Sequence, residues 1–203
     1  MKYLKALGLV VAVAICSVAW SSAASASTLC KSNANTALCG ESYGTGTSLE
    51  LSQTGTSVLE TTGGTTLVTC SGATLKAGVE NAGGASSSVA GSVSSLGWSG
   101  CTNTVNTLKV GSFEIRHTAG TDNGIFVLKD TEVTVNGIFG SSCNYGYGSA
   151  AGTEGALTGG SPATVQFEAV VPRISGGFTC PADTVWKAEF EVEEPAPLYV
   201  AAA

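Results

Sequence analysis

Few residues of this 203-residue chain could carry nucleophilic or acid–base chemistry. His117 is the single histidine, so a catalytic triad based on histidine would have to use it, with Asp122 or Asp130 as the orienting acid. No G-x-S-x-G motif supplies a serine nucleophile. We therefore interpret His117 as a side chain at the end of a strand, beside a turn at Asp122.

Acidic residues near the C-terminus have a spacing that a glycosidase could use. Glycoside hydrolysis needs two carboxyl groups on either side of a cleft, one of them with a raised pKa. Glu189 and Glu191 would lie about 7 Å apart on one strand face. Glu193 and Glu194 follow directly, and such a run is typical of a solvated acidic face. We predict no catalytic residue from this pattern.

Metal-binding patterns are also missing from the sequence. Asp122 and Asp130 offer oxygen ligands for Ca²⁺, but no D-x-D-x-D-G loop surrounds them. A zinc site would need C-x-x-C pairs or clustered histidines, and the chain has neither. We expect no metal and no other cofactor.

Aromatic side chains give the clearest indication of ligand binding. Trp98, Tyr145 and Tyr147 lie near cysteines in Gly-rich segments, where rings can be presented to a sugar or another apolar surface. Tyr145 and Tyr147 project to the same side if their segment is extended. We take these three as candidate ligand-binding residues. A tryptophan beside a disulfide is also typical of a sandwich core, which favours packing for Trp98 and Trp186.

The N-terminus has the pattern of a secretory signal peptide. Lys2 and Lys5 precede an apolar run at residues 6–20, and an A-x-A cleavage site ends at Ala26. The run is shorter than the roughly 20 apolar residues that span a bilayer. We predict a signal peptide at 1–26, a secreted β-domain at 27–203, and no stable membrane insertion after cleavage.

The charge of the chain argues against a nucleic-acid partner. The chain has nine Lys and Arg against fifteen Asp and Glu, so removal of Lys2 and Lys5 leaves seven basic residues and a formal charge of −8. These basic residues are scattered, whereas phosphate binding needs them clustered. Charged residues make up only 12% of this acidic chain, a composition that suits an extracellular β-protein.

The cysteines predict three disulfides. Cys16 lies in the leader, and an even number of cysteines in an exported chain is typical of a disulfide framework. Several pairings are possible. We favour nearest neighbours, because each bridge then closes a local β-unit: Cys30 with Cys39, Cys70 with Cys101, and Cys143 with Cys180.

Short strands separated by turn signals fill the rest of the chain. Residues 185–192 show the best period-two alternation, with Trp186 and every second residue after it predicted to face inward. A hairpin begins at 112–117, and its return strand is long enough to break near Asp130. We predict a turn at 81–84 and a Gly-rich loop at 146–161.

No segment has a sustained helical period. Frequent turn signals favour an all-β fold: a single-domain antiparallel β-sandwich or barrel of roughly nine to eleven strands with three disulfides. Closure or two-layer packing would protect the edges of so many strands.

Several short motifs together resemble a group of uncharacterised secreted proteins from actinobacterial genomes. They are Cys70-Ser71-Gly72, Gly97-Trp98-Ser99-Gly100-Cys101, Gly159-Gly160-Ser161-Pro162-Ala163, Cys180-Pro181, Val185-Trp186-Lys187-Ala188 and Pro195-Ala196-Pro197-Leu198-Tyr199-Val200. The arrangement of Cys-capped strand pairs is also similar to that of the small secreted alkane-oxidation-activator family, which is associated with biofilm matrix. The resemblance implies export and disulfides, and no activity or functional residue.

These observations favour a non-enzymatic secreted or cell-envelope β-domain that acts through surface interaction. The alternative is a carbohydrate-binding or hydrolase-type extracellular module that uses Trp98, Tyr145 and Tyr147. The expected partners are cell-wall or matrix polysaccharide, or another envelope protein. The expected location is extracellular, with release and retention at the cell envelope both open.

Overall fold

The computed structural model describes residues 26–34, 38–148 and 151–203, which contain thirteen strands and no helix. The strands, in chain order, are β1 (Thr28–Cys30), β2 (Ser48–Thr61), β3 (Thr66–Gly84), β4 (Ser87–Cys101), β5 (Val105–Lys109), β6 (Ser112–His117), β7 (Gly124–Lys129), β8 (Glu132–Ile138), β9 (Ser141–Gly146), β10 (Gly152–Thr158), β11 (Ala163–Gly176), β12 (Asp183–Glu194) and β13 (Tyr199–Ala201). The predicted leader lies outside the described residues, apart from Ala26.

Eight strands close into an antiparallel barrel. Their order is β10, β7, β6, β4, β3, β2, β12 and β11, and β11 pairs with β10 to complete the ring. Strand β12 shows how the sequence encodes the barrel wall, because Ala188, Phe190 and Val192 are buried whereas Glu189 is exposed. This confirms the predicted alternation. The interior of an eight-stranded barrel can be filled by side chains, and here it forms the larger apolar core.

A smaller sheet covers one end of the barrel. The end of β11, from Arg173 to Gly176, pairs with β9, and β9, β8 and β5 follow in order. This smaller sheet packs on the adjoining ends of β2 and β3 through a second core that includes Leu59, Val68 and Tyr145. The predicted barrel and the predicted sandwich packing are therefore both present in one fold.

The two ends of the described chain pair with each other. Strands β1 and β13 form a two-stranded sheet in which Leu29 lies opposite Val200, and both side chains belong to the barrel core. The Ser27 hydroxyl donates to the carbonyl oxygen of Ile115 and accepts from the amide of Val89, at 2.9 and 3.1 Å. These contacts fix the two-stranded sheet against β4 and β6.

All three predicted disulfides are formed: Cys30–Cys39, Cys70–Cys101 and Cys143–Cys180. Cys70 and Cys101 lie directly opposite each other on β3 and β4, so this bridge fastens the strand pair at the end that carries the second core. Three disulfides are typical of proteins in oxidising compartments. No helical segment in the described ranges has the length and apolarity to span a bilayer.

The predicted turn at 81–84 is wrong. Strand β3 continues to Gly84, and the turn consists of residues 85–86. The glycines at 83 and 84 allow the backbone of Ser27 to lie close to β3. A Cβ on Gly83 would lie 1.8 Å from the carbonyl oxygen of Ser27, and the Gly84 amide donates to that oxygen at 3.1 Å. These glycines are therefore needed because the segment at Ser27 of the same chain passes close to them.

The predicted loop at 146–161 is also wrong, because it contains the strand β10 that closes the barrel. Thr153, Gly155 and Leu157 alternate as buried residues, but Gly155 takes the place of an apolar side chain. A Cβ there would meet Cδ1 of Phe167 at 2.8 Å. The structure has more strands than the nine to eleven predicted. Part of the difference comes from β10 and from the two short strands β1 and β13.

The polar contacts of Glu114 on β6 should make the stability of the fold depend on pH. Glu114 accepts hydrogen bonds from Lys129 and Ser88. Burial alone would raise the pKa of Glu114, but these bonds and the charges of Lys129 and Arg116 outweigh it, so the pKa lies below its ordinary value of 4.5. The stabilisation is present above that value and is lost as the pH falls through the lowered pKa.

We expect Glu114→Gln to lower the free energy of unfolding by about 1 kcal/mol at pH 7. The difference from the wild type should shrink as the pH falls below 4.5, because the unfolded wild-type chain then binds a proton at this carboxyl while the folded state resists it until the pH falls through the lowered pKa. Urea unfolding at pH 7, 4.5 and 3 measures this. Ser88→Ala removes only the hydroxyl donor and should give a smaller loss at pH 7. An equal deficit for Glu114→Gln at every pH would contradict the charge-based explanation.

Candidate functional site

A cavity of about 70 Å³ lies between the barrel and the smaller sheet. We name it the intersheet cavity. Its lining residues come from both cores: Ser57, Leu59, Val68, Cys70, Leu96, Trp98, Val105, Leu128, Thr131, Val133, Val135, Tyr145, Gly146, Thr153, Val171 and Trp186. Most are aliphatic or aromatic, and Trp98, Val105 and Val133 are partly exposed whereas Tyr145 is completely buried. The partly exposed residues indicate where the cavity approaches solvent.

Two tryptophans link the intersheet cavity to the barrel core. Trp98 on β4 and Trp186 on β12 meet edge to face, with ring centroids 5.9 Å apart. Trp186 also stacks on Phe167, with centroids 4.6 Å apart and planes at 21°. Both tryptophans contact both apolar cores. They therefore form the shared wall between the barrel interior and the cavity.

Two residues that line the cavity each carry a polar side-chain atom with no hydrogen-bond partner among the residues that the structure describes. These atoms are Oη of Tyr145 and Nε1 of Trp186, and both atoms are buried. Trp98 provides a contrast, because its Nε1 donates to Oγ1 of Thr107 at 3.1 Å. The Thr107 hydroxyl in turn donates to the carbonyl oxygen of Leu96 at 2.7 Å. One indole of the pair is thus satisfied by β5, and the other is not.

The Tyr145 phenol is held in its neutral form. Burial raises its pKa above the ordinary value of 10, and the positive charge of Arg173 offsets this only in part. A neutral phenol retains its O–H and can donate a hydrogen bond. Tyr145 and Trp186, which both line the intersheet cavity, therefore each carry a neutral donor.

The three predicted ligand-binding residues separate in the structure. Trp98 and Tyr145 both line the intersheet cavity, whereas Tyr147 is not among its lining residues. The Tyr147 hydroxyl donates to the carbonyl oxygen of Val170 outside the cavity. Tyr145 is fully buried, so its ring is not available as a surface platform for a sugar. Any ligand of Tyr145 must enter the cavity.

A second feature is a pair of exposed phenylalanines at the far end of the smaller sheet. Phe178 is 98% exposed and Phe139 is 68% exposed. Phe139 lies in the turn between β8 and β9, and Phe178 lies in the turn at 177–180, closed by the Cys180 amide donating to Gly177. We name Phe139, Phe178 and these two turns the aromatic tip.

A disulfide and three hydrogen bonds fix the two turns of the aromatic tip. The Cys143–Cys180 disulfide joins β9 to the second turn. The hydroxyls of Ser141 and Thr179 hydrogen-bond to each other at 2.7 Å. Arg173 donates from Nη1 to the carbonyl oxygens of Gly177 and Cys180. The loops that carry the rings are therefore fixed by covalent and polar contacts beneath them.

The residues that could carry acid–base chemistry are engaged elsewhere. His117 ends β6, and its Nε2 lies 2.8 Å from the carbonyl oxygen of Thr121, so the ring braces the loop after β6. Asp130 forms an ion pair with Lys109 at the break between β7 and β8, where the break was predicted. Glu189 lies on the exposed face of β12. In the described part of the chain, no three His, Cys, Asp or Glu side chains group to hold a metal.

No protein family, curated protein or solved structure matches the chain. The resemblance to secreted actinobacterial proteins therefore stays a prediction. Function has to be argued from the geometry of the intersheet cavity and the aromatic tip.

Sequence reasoning missed Phe139 and Phe178 as functional candidates. A signal for them exists, because each is a single aromatic residue in a Gly-containing turn, a few residues before one half of the same disulfide: IFGSSC and GFTC. The unsatisfied Nε1 of Trp186 had no such signal. Its state depends on which strand passes beside the indole, and that is a property of the tertiary structure.

Proposed function

We propose that this chain is a non-enzymatic secreted or cell-envelope β-domain that acts through surface interaction, with the aromatic tip as its contact. The observation that carries the proposal is the exposure of two phenylalanine rings, 98% and 68%, on adjacent turns. The signal-peptide pattern at 1–26 and the three disulfides support an extracellular location.

The energetics of the aromatic tip favour binding. Burying an exposed phenylalanine stabilises a complex by about 1.5–3 kcal/mol, which corresponds to roughly 10- to 150-fold in affinity. The contacts of Ser141, Arg173 and Cys180 hold the loops before any partner arrives. A preorganised surface loses less conformational entropy on binding. Two rings on such loops are sufficient as anchors for a specific contact.

Another envelope protein is the partner class that the aromatic tip fits best. Sugar recognition combines an aromatic ring with polar side chains that bond to sugar hydroxyls. At the tip, the polar groups nearest the rings already bond to each other: Ser141 to Thr179, and Ser142 to Asn136. Apolar burial is therefore the main contribution that the tip offers, and an apolar pocket on a protein accepts it.

Binding of the purified protein to envelopes prepared from the producing organism tests the proposal. We expect Phe178→Ser to weaken binding by about 10-fold or more, and the Phe139→Ser, Phe178→Ser double variant by about 100-fold. Leu108→Ser is the matched control, because Leu108 is 56% exposed on β5, at the opposite end of the smaller sheet. Thermal unfolding should show all these variants within about 0.5 kcal/mol of the wild type.

Protease treatment of the envelopes distinguishes the partner classes. A protein partner predicts that digestion abolishes binding. Binding that survives digestion and transfers to purified wall or matrix polysaccharide would instead support the carbohydrate-binding alternative. If the double variant binds as tightly as the wild type, the aromatic tip is not the contact.

A further inference from the structure

We propose that the intersheet cavity is a second, separate binding site, which takes a small apolar molecule or apolar terminal group carrying an oxygen that accepts hydrogen bonds from Tyr145 and Trp186. The site goes beyond the surface contact proposed above, because it lies between the two cores rather than at the aromatic tip. Its two donors are the Oη and Nε1 atoms, which have no partner in the described ranges of the chain.

The unsatisfied donors are the first argument. Leaving a buried donor without a partner costs about 1–3 kcal/mol, so such atoms are rare in folded proteins. Trp98 lies against Trp186 and lines the same cavity, yet its indole N–H is satisfied by Thr107. The fold can therefore place an acceptor beside an indole here, and it does so for only one of the two. An acceptor from outside the chain would satisfy the other.

The lining chemistry is the second argument. A buried water needs two to four polar partners. The cavity of about 70 Å³ exceeds the roughly 10–15 Å³ that one water needs, so water alone would require a cluster. Besides Tyr145, the lining contains three hydroxyl side chains: those of Ser57 and Thr131 already donate to backbone carbonyl oxygens, which leaves the Thr153 hydroxyl as a further group that water could contact. An apolar body with one oxygen matches this wall better than several waters.

Size sets the ligand class. A cavity of about 150 Å³ can hold benzene, so 70 Å³ accommodates a smaller group unless the walls move apart. A five-membered ring is about as large as benzene, so it would be enclosed only in part and would extend toward the partly exposed side formed by Trp98, Val105 and Val133. Tetrahydrofuran and cyclopentane form a matched pair of probes, because the two rings have similar shapes and only tetrahydrofuran has an acceptor oxygen.

The test is a titration of the full chain followed by ¹H–¹⁵N correlation spectra of the indole N–H groups. The chain has three tryptophans, Trp20, Trp98 and Trp186, which single Trp→Phe variants assign. We expect tetrahydrofuran to move the Trp186 indole proton downfield, saturably, and to move that of Trp98 much less. Cyclopentane should bind about 10-fold more weakly and should give no downfield shift, because it lacks the acceptor.

Two variants distinguish the contribution of the Tyr145 hydrogen-bond donor from that of the cavity volume. Tyr145→Phe keeps the ring and removes Oη, so tetrahydrofuran should bind about 3- to 10-fold more weakly while cyclopentane affinity is unchanged. Val133→Phe is designed to fill the cavity from its partly exposed side and should abolish binding of both probes while the two donors remain. Dispersed spectra without ligand show that each variant is folded.

Three outcomes would overturn the proposal. Equal affinities for tetrahydrofuran and cyclopentane would show that the donors take no part. Parallel, non-saturating shifts of Trp98 and Trp186 would show a solvent effect only. Unchanged binding in Val133→Phe would place the probes elsewhere. None of these results depends on the aromatic tip, so the surface contact and the cavity site can fail independently.

Discussion

Gly91→Ala should lower the free energy of unfolding by about 3 kcal/mol or more. Gly91 lies on β4, opposite Val79 of β3 on one side and Phe113 of β6 on the other. A Cβ there would be 1.9 Å from the carbonyl oxygen of Gly78 and 2.8 Å from Cε1 of Phe113. The Phe113 ring could move, but the Gly78 carbonyl belongs to a paired strand. The clash can be relieved only by moving the backbone of β3 or β4.

Gly78→Ala is the matched control for this prediction. Gly78 is close to Gly91 on the neighbouring strand, and a Cβ on Gly78 would meet no atom within 4 Å. Because alanine restricts the unfolded chain more than glycine does, we expect Gly78→Ala to be neutral or to stabilise by up to about 1 kcal/mol. Urea unfolding of the two variants measures the contrast. Equal effects of both substitutions would show that strand propensity, rather than the close approach, determines the role of Gly91.

The features that could be predicted from the sequence are those with a short-range signature. Alternation in β12 depends only on which residues face a core, so Ala188, Phe190 and Val192 were correctly placed. Pairing of Cys70 with Cys101 follows from two strands joined by one tight turn, which brings their far ends together. In both cases the information lies within one strand or one hairpin.

The errors arise where distant segments meet. Strand β10 carries Gly155 at an inward position because Phe167 of β11 fills the space that a side chain would take. Its apolar period is therefore interrupted, and the closing strand resembles a loop. Gly83 likewise accommodates Ser27, which is 56 residues away in the sequence. A glycine signal predicts that something approaches closely, but the partner is defined only by the fold.

The same limit applies to the candidate sites. Aromatic residues near cysteines predicted Trp98, Tyr145 and Tyr147 as ligand-binding residues, and the structure brings Trp98 and Tyr145 to the intersheet cavity. Whether each polar atom is satisfied depends on the strand that passes beside it. Thr107 reaches the indole of Trp98 because β5 follows β4 closely, and none of the described residues accepts a hydrogen bond from Nε1 of Trp186. The difference between a packed tryptophan and a potential ligand donor is therefore a tertiary one.

Phe167→Ala should be the most destabilising truncation in the barrel core, with an expected loss of about 3–5 kcal/mol. The Phe167 ring is 1% exposed and contacts three other aromatic rings. It stacks on Trp186 at 4.6 Å and meets Phe126 and Phe190 edge to face at 6.3 and 5.9 Å. The loss combines the buried ring surface with the void that the strand backbone cannot close. Phe167→Leu, which retains most of the volume, should lose less than about 1.5 kcal/mol.

The void left by Phe167→Ala would lie against Trp186, which is also a wall of the intersheet cavity. An apolar void of this kind should bind benzene, which then stabilises the folded state by RT ln(1 + [L]/Kd), where [L] is the free benzene concentration. We therefore expect benzene to raise the thermal midpoint of Phe167→Ala and to have little effect on Phe167→Leu. A variant that is destabilised but unresponsive to benzene would mean that Trp186 collapses into the void. The tetrahydrofuran site beside Trp186 should then be lost in the same variant, because its indole donor would have moved.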